Sequence, residues 1–124
     1  MENSGSSAVK GNLNESGDVR RFIDGSMRSS VLLRSCAVGL GTYNPGWKWS
    51  EHAGAQTGKS SENHIGYIVS GNMIIMDSAG IEIEVEPGEA FEVGPGHDAW
   101  VIGDKPCVAL DFIPVTVVNK YQFE

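Results

Sequence analysis

Turn signals recur so closely in the second half of this chain that no long helix fits between them. Asp77-Ser78-Ala79-Gly80, Pro87-Gly88-Glu89, Gly94-Pro95-Gly96 and Asp104-Lys105-Pro106 each close a short apolar run. Turns spaced about eight to twelve residues apart belong to antiparallel sandwiches and barrels. Between two of these turns, IEIEVE alternates strictly. Ile81, Ile83 and Val85 fall on one face and Glu82, Glu84 and Glu86 on the other, which predicts a half-buried strand with a solvated acidic side. GYIVSGNMIIM ahead of it, and AFEV, AWVIG and CVALDFI after it, read as further strands.

The first half carries the same pattern more loosely. VRRFIDGSMRSSVLLRSCAVGLGTYNPG is broken by Asp-Gly and Asn-Pro-Gly into two or three strands. Residues 1 to 18 are Ser, Gly, Asn and charge with little apolar content, and are expected to form a disordered tail. Residues 19–124 then form one all-β domain, the size that 124 residues allow.

The net charge of −7 excludes partners more clearly through its distribution than through its total. No Lys or Arg lies between Lys59 and Lys105, while that span holds Glu62, Asp77, Glu82, Glu84, Glu86, Glu89, Glu92 and Asp98. Nucleic acid and anionic membrane are therefore not expected partners. The N-terminus lacks a basic start followed by an apolar stretch, so a cytoplasmic protein is expected. Cys36 and Cys107 have no C-x-x-C spacing and are expected to be reduced, partly buried thiols.

From Gly46 to Trp100 the spacing resembles that of the cupins, small jelly-roll barrels with two signature motifs. Gly46 is followed after five residues by His52, and His64 after six by Gly71. Gly88, Gly94 and Gly96 stand at the glycine, proline and glycine positions of the second motif. The resemblance implies a double-stranded β-helix, and in that family three His and one Glu hold a metal inside the barrel. Here His52 occupies the first His position, Gly54 the second, His64 the Glu position after a longer loop, and Ala99 the last His position. His97 precedes Ala99 by two residues and would share its face in a regular strand.

The resemblance thus implies a small molecule bound in the barrel, with a divalent cation (Zn, Fe, Mn or Ni) on His52, His64 and His97. The alternative is a metal-dependent oxygenase, isomerase or lyase, with His97 or Asp98 handling the proton. Trp49, Glu62, Tyr67, Ala99, Trp100 and Asp111 complete the candidate pocket. Each has a plainer reading: histidines bonded to backbone carbonyls near the barrel mouth, and aromatics that only fill core or interface. Asp111, inside the apolar run CVALDFI, is costly to bury unless paired, whether it serves as an acid/base group or as a structural acceptor. Cupins of this size commonly pair, and Trp-rich outer strands would suit a homodimer.

Overall fold

The computed structural model describes residues 7–58 and 60–114. Nine strands follow one another: β1 (Asp18–Arg21), β2 (Met27–Leu32), β3 (Cys36–Tyr43), β4 (His64–Ser70), β5 (Asn72–Met76), β6 (Glu82–Val85), β7 (Ala90–Val93), β8 (Asp98–Ile102) and β9 (Cys107–Pro114). The alternating first half resolves into three strands rather than two. The only helical structure among the described residues is a π-helical turn at Ser50–Gly54 that runs into a single α turn, α1, at Ala55–Thr57.

The strands form two antiparallel sheets, one of six strands in the order β1-β2-β3-β9-β4-β7 and one of three in the order β6-β5-β8. In β9, Cys107, Ala109 and Asp111 are buried, while Val108, Leu110 and Phe112 between them are half-buried on the outer face. The buried cluster that fills the space between the sheets includes Phe22, Tyr43, Trp47, Ile68, Met73, Ile75, Val93, Val101 and Cys107.

Strand glycines on the inner face make room for larger neighbours. A Cβ on Gly39 would lie 2.6 Å from Asp111 Oδ1 and 2.7 Å from Arg28 Cζ, and one on Gly66 would lie 2.5 Å from the Phe91 ring. Contacts that short force the neighbour to move, so both side chains depend on the missing methyl.

Two expectations need correction. The alternation in IEIEVE is real, but burial reaches only Val85. Ile83 is 47% and Ile81 64% exposed, because β6 is the edge of the three-stranded sheet and nothing described packs beyond it. Beside the expected tail boundary at residue 18, Asp18 opens β1, Ser29 Oγ donates to the Leu13 carbonyl at 2.7 Å, and Ser16 Oγ donates to the Ser30 carbonyl. Residues 7–17 include this tethered stretch, while residues 1–6 lie outside those described. The tryptophans do not share one outer surface. Trp47 is buried in the core, Trp49 begins the π-helical turn, and the Trp100 ring lies under Lys48 Nζ at 5.1 Å.

The cysteines are free thiols. Cys36 stands opposite Pro114 and Cys107 opposite Tyr43, at the two ends of the β3–β9 ladder. At about 3.3 Å per residue that separates them by roughly 20 Å, far outside disulfide range. Burial pushes the Cys107 thiol up to about 11, so it is inert at neutral pH.

Candidate ligand cavity

A cavity of about 420 Å³ opens between the two sheets. Its size falls within the range of small-molecule pockets. His64 on β4, His97 ahead of β8, Ala99 on β8, Asp111 on β9, and Trp49 and Glu62 from the intervening loops all lie on its wall. Ala99 and His97, two residues apart, share the wall as strand alternation requires.

Asp111 is the fixed point of this wall. Arg28 Nε and Nη2 donate to its two oxygens at 2.8 and 2.6 Å, and His64 Nε2 lies 3.6 Å from Oδ2. Burial alone would push the Asp111 carboxyl up; the Arg28 hydrogen bonds, with the nearby His64 ring, more than reverse this and hold it well below the usual carboxylate range. Its hydrogen bond to Asp111 likewise raises the Arg28 guanidinium, against the opposing effect of burial. The pair exists because β2, β3 and β9 are adjacent, with Arg28 opposite Gly41 and Asp111 opposite Gly39. The Tyr43 hydroxyl is pushed upward by burial and by the Asp111 charge.

His97 has a different environment. Its Nδ1 lies 3.0 Å from the Gly94 carbonyl, and a carbonyl only accepts, so Nδ1 carries the proton and Nε2 the lone pair. Burial lowers the His97 pKa, which keeps the ring neutral at pH 7. Ser61 secures this turn from the other side. Its hydroxyl donates to the His97 carbonyl at 2.6 Å, and its own carbonyl accepts from Gly96 N–H at 3.0 Å. The His97 ring lies edge-on to His64 at 5.7 Å between centroids, and His64 stacks parallel to Phe91 at 6.3 Å.

The histidines do not converge in threes. His52 is absent from the cavity wall: it sits in the π-helical turn, and its Nδ1 lone pair accepts from Lys48 N–H at 3.0 Å. The same Nδ1 lies 3.2 Å from the Lys48 carbonyl, so the Lys48 backbone holds this nitrogen of the ring in either tautomer. Gly54, at the family's second His position, lies beneath the Trp49 ring, where a Cβ would come within 2.5 Å of it. Ala99 presents a methyl group. His64 and His97 remain, short of the three protein ligands that catalytic metal sites use. Among the described residues no group of three or more His, Cys, Asp or Glu is placed to hold a metal ion. As placed here this donor set does not make a divalent-cation site, and of the three expected ligands only His64 and His97 are brought together.

Three other candidates face away from the cavity. Tyr67 alternates with the inward His64, Gly66 and Ile68 and is 38% exposed on the outer face. Asp98 and Trp100 alternate with Ala99 and Val101 in the same way. Asp98 accepts from the backbone N–H of Ser50 and of Ala99, both at 2.9 Å, so it ties the helical turn to β8 and is not on the wall. The cavity residues that sequence reasoning missed include Arg20, Arg28, Tyr43 and Phe91. Only the cost of burying Asp111 unpaired hinted that a cation must meet it.

No family model and no curated protein matches the chain. Solved structures do resemble it. A sugar phosphate isomerase from a cupin superfamily, from Silicibacter pomeroyi, is 17% identical with a TM-score of 0.60, over 84% of this chain and 74% of that one. A predicted oxalate decarboxylase from Thermotoga maritima is 14% identical with a TM-score of 0.62, over 83% and 96%. An RmlC-like cupin from Shewanella frigidimarina is 12% identical with a TM-score of 0.62, over 87% and 91%. At such identities the likeness speaks for the fold alone. With its two facing antiparallel sheets and these neighbours, the chain has the cupin fold, a double-stranded β-helix.

Proposed function

We propose that this protein binds a small polar molecule in the cavity between its sheets. The supporting observation is the chemistry of the wall: a carboxylate kept ionised by Arg28, and a neutral imidazole whose Nε2 makes no hydrogen bond among the described residues. Aromatic and aliphatic side chains (Trp49, Phe91, Met73, Ile75) surround these groups, the usual composition of a ligand site. The test is a panel of neutral sugars, sugar phosphates and small carboxylic acids, followed by tryptophan fluorescence and by melting temperature. Ala99→Leu, which fills the wall, should abolish binding of any hit. A hit that binds Ala99→Leu as tightly as the parent refutes the cavity reading.

A second reading is catalytic, as an isomerase or lyase that moves a proton. It is favoured by the neutral His97 beside the Asp111-anchored His64, an arrangement in which Nε2 of His97 can accept a substrate proton. Turnover of a bound compound that His97→Gln abolishes while binding persists would support it.

The chain is further proposed to act in the cytoplasm as a homodimer. Two free thiols suit a reducing compartment, though none of the described helices is long and apolar enough to cross a membrane in any case. The dimer reading rests on the outer face of the six-stranded sheet rather than on tryptophans. Met27, Tyr67 and Val69 are exposed there beside the half-buried Leu40, Leu110 and Phe112.

A further inference from the structure

We infer that the end of the cavity formed by β1, β2 and β3 receives an anionic group of the ligand, a carboxylate or a phosphate, on Arg20, Arg28 and the Tyr43 hydroxyl; this rests on the cavity-binding reading. Arg20 and Arg28 are direct partners across the β1–β2 ladder, and both line the cavity. Like charges opposite each other on one face of a sheet are destabilising, and a fold has no structural reason to keep two arginines there. Only one of them has a counter-charge. Arg28 turns Nε and Nη2 to Asp111, which leaves the Nη1 donors uncommitted.

Arg20 forms no ion pair or hydrogen bond among the described residues. The carboxylate at the end of its own strand, Asp18, accepts instead from Ser30 Oγ at 2.6 Å. Asp111 is already engaged by Arg28, and Glu62, the other acidic residue on the wall, makes no ion pair with Arg20.

Tyr43 joins them from β3. Its ring folds back over Gly41, the residue that stands opposite Arg28, and its hydroxyl feels the charges of both arginines. That hydroxyl makes no hydrogen bond among the described residues, and Tyr43 lines the cavity. Two guanidinium groups, one of them unpaired, and a phenolic donor thus line one end of a cavity whose other polar groups include His64, His97, Glu62 and the Arg28-paired Asp111. Guanidinium forks recognise carboxylate and phosphate oxygens in pairs, and such charge-assisted bonds are among the strongest polar contacts a site can make.

The experiment uses three probes of one shape: benzoate, phenyl phosphate and the uncharged benzyl alcohol. Each is titrated against the full chain and its Arg20→Gln and Arg20→Lys variants by calorimetry, with melting temperatures of the unliganded proteins. At least one anion is expected to bind the parent more tightly than benzyl alcohol, and the stronger of the two anions identifies the group. Arg20→Gln should lose about tenfold in affinity for that anion and nothing for benzyl alcohol, Arg20→Lys should recover part of the loss, and added salt should weaken only the anion. Unliganded Arg20→Gln should melt no lower than the parent, because it relieves the repulsion with Arg28; a structural arginine would show the opposite. Equal anion affinity in Arg20→Gln overturns the inference, as does binding of benzyl alcohol alone, which would leave the cavity reading intact. If none of the three probes binds, both fall.

Discussion

Replacing Asp111 by Asn should be among the most damaging single changes in this barrel. The Asp111 side chain is 6% exposed and receives two guanidinium hydrogen bonds, while the Arg28 side chain keeps 25% of its surface in solvent. Removing one member of a buried pair typically costs about 3–5 kcal/mol, mostly from the charge left behind. Because Arg28 retains a path to water, the lower end applies, and we expect about 3 kcal/mol. For a domain of this size that corresponds to a fall in melting temperature of roughly 10–15 °C. The isosteric amide changes volume little, so packing does not confuse the result. The double variant Arg28→Met with Asp111→Leu should recover at least about 2 kcal/mol relative to Asp111→Leu alone, since a buried pair exchanged for apolar groups is often neutral. Urea denaturation of the parent, the singles and the double closes the cycle. A loss below about 1 kcal/mol in Asp111→Asn, or no coupling between the two positions, would refute the view that Arg28 and Asp111 depend on each other.

The pH dependence of stability should show two separate losses on the acid side. His97 has a folded pKa below its ordinary value, so the unfolded chain takes up its proton first, and stability falls as pH drops below about 6.5. Asp111 is also lowered, so its contribution is present above about pH 4 and is lost only as pH falls further, toward its folded value. His97→Gln should flatten the first loss and leave the second; urea midpoints from pH 3 to 8 would show it. Ala99→His adds a third imidazole to a wall that already holds His64 and His97, and should raise affinity for Zn²⁺ or Ni²⁺ at least about tenfold over the parent in calorimetry. An unchanged isotherm in a folded Ala99→His would mean that the three positions do not converge. Light scattering should give twice the 13.3 kDa chain mass, and Phe112→Glu on the outer sheet face should return it to one chain; a monomeric parent rejects the dimer.

Local chemistry determined what could be read along the chain. Turn residues carry their conformational preference within a few positions, so AFEV, between Pro87-Gly88 and Gly94-Pro95, was readable as the strand the structure shows at Ala90–Val93. Strand alternation is equally local, and it placed His97 and Ala99 on one wall. Alternation states only that residues share a face, never what covers that face. Ile81 and Ile83 therefore follow the expected parity yet stay exposed at a sheet edge, and Tyr67, Asp98 and Trp100 have the parity that points away from the cavity. His52 matched a motif position by count, but the helical turn that follows Trp49 turned its ring to the Lys48 backbone. The site itself was decided by pairing across distance. Arg28 and Asp111 are 83 residues apart, and they meet only because β3 lies between their strands and has glycine at position 39, where a side chain would have kept them apart. No local preference encodes that meeting, because it is set by the register of three strands joined through the tertiary fold.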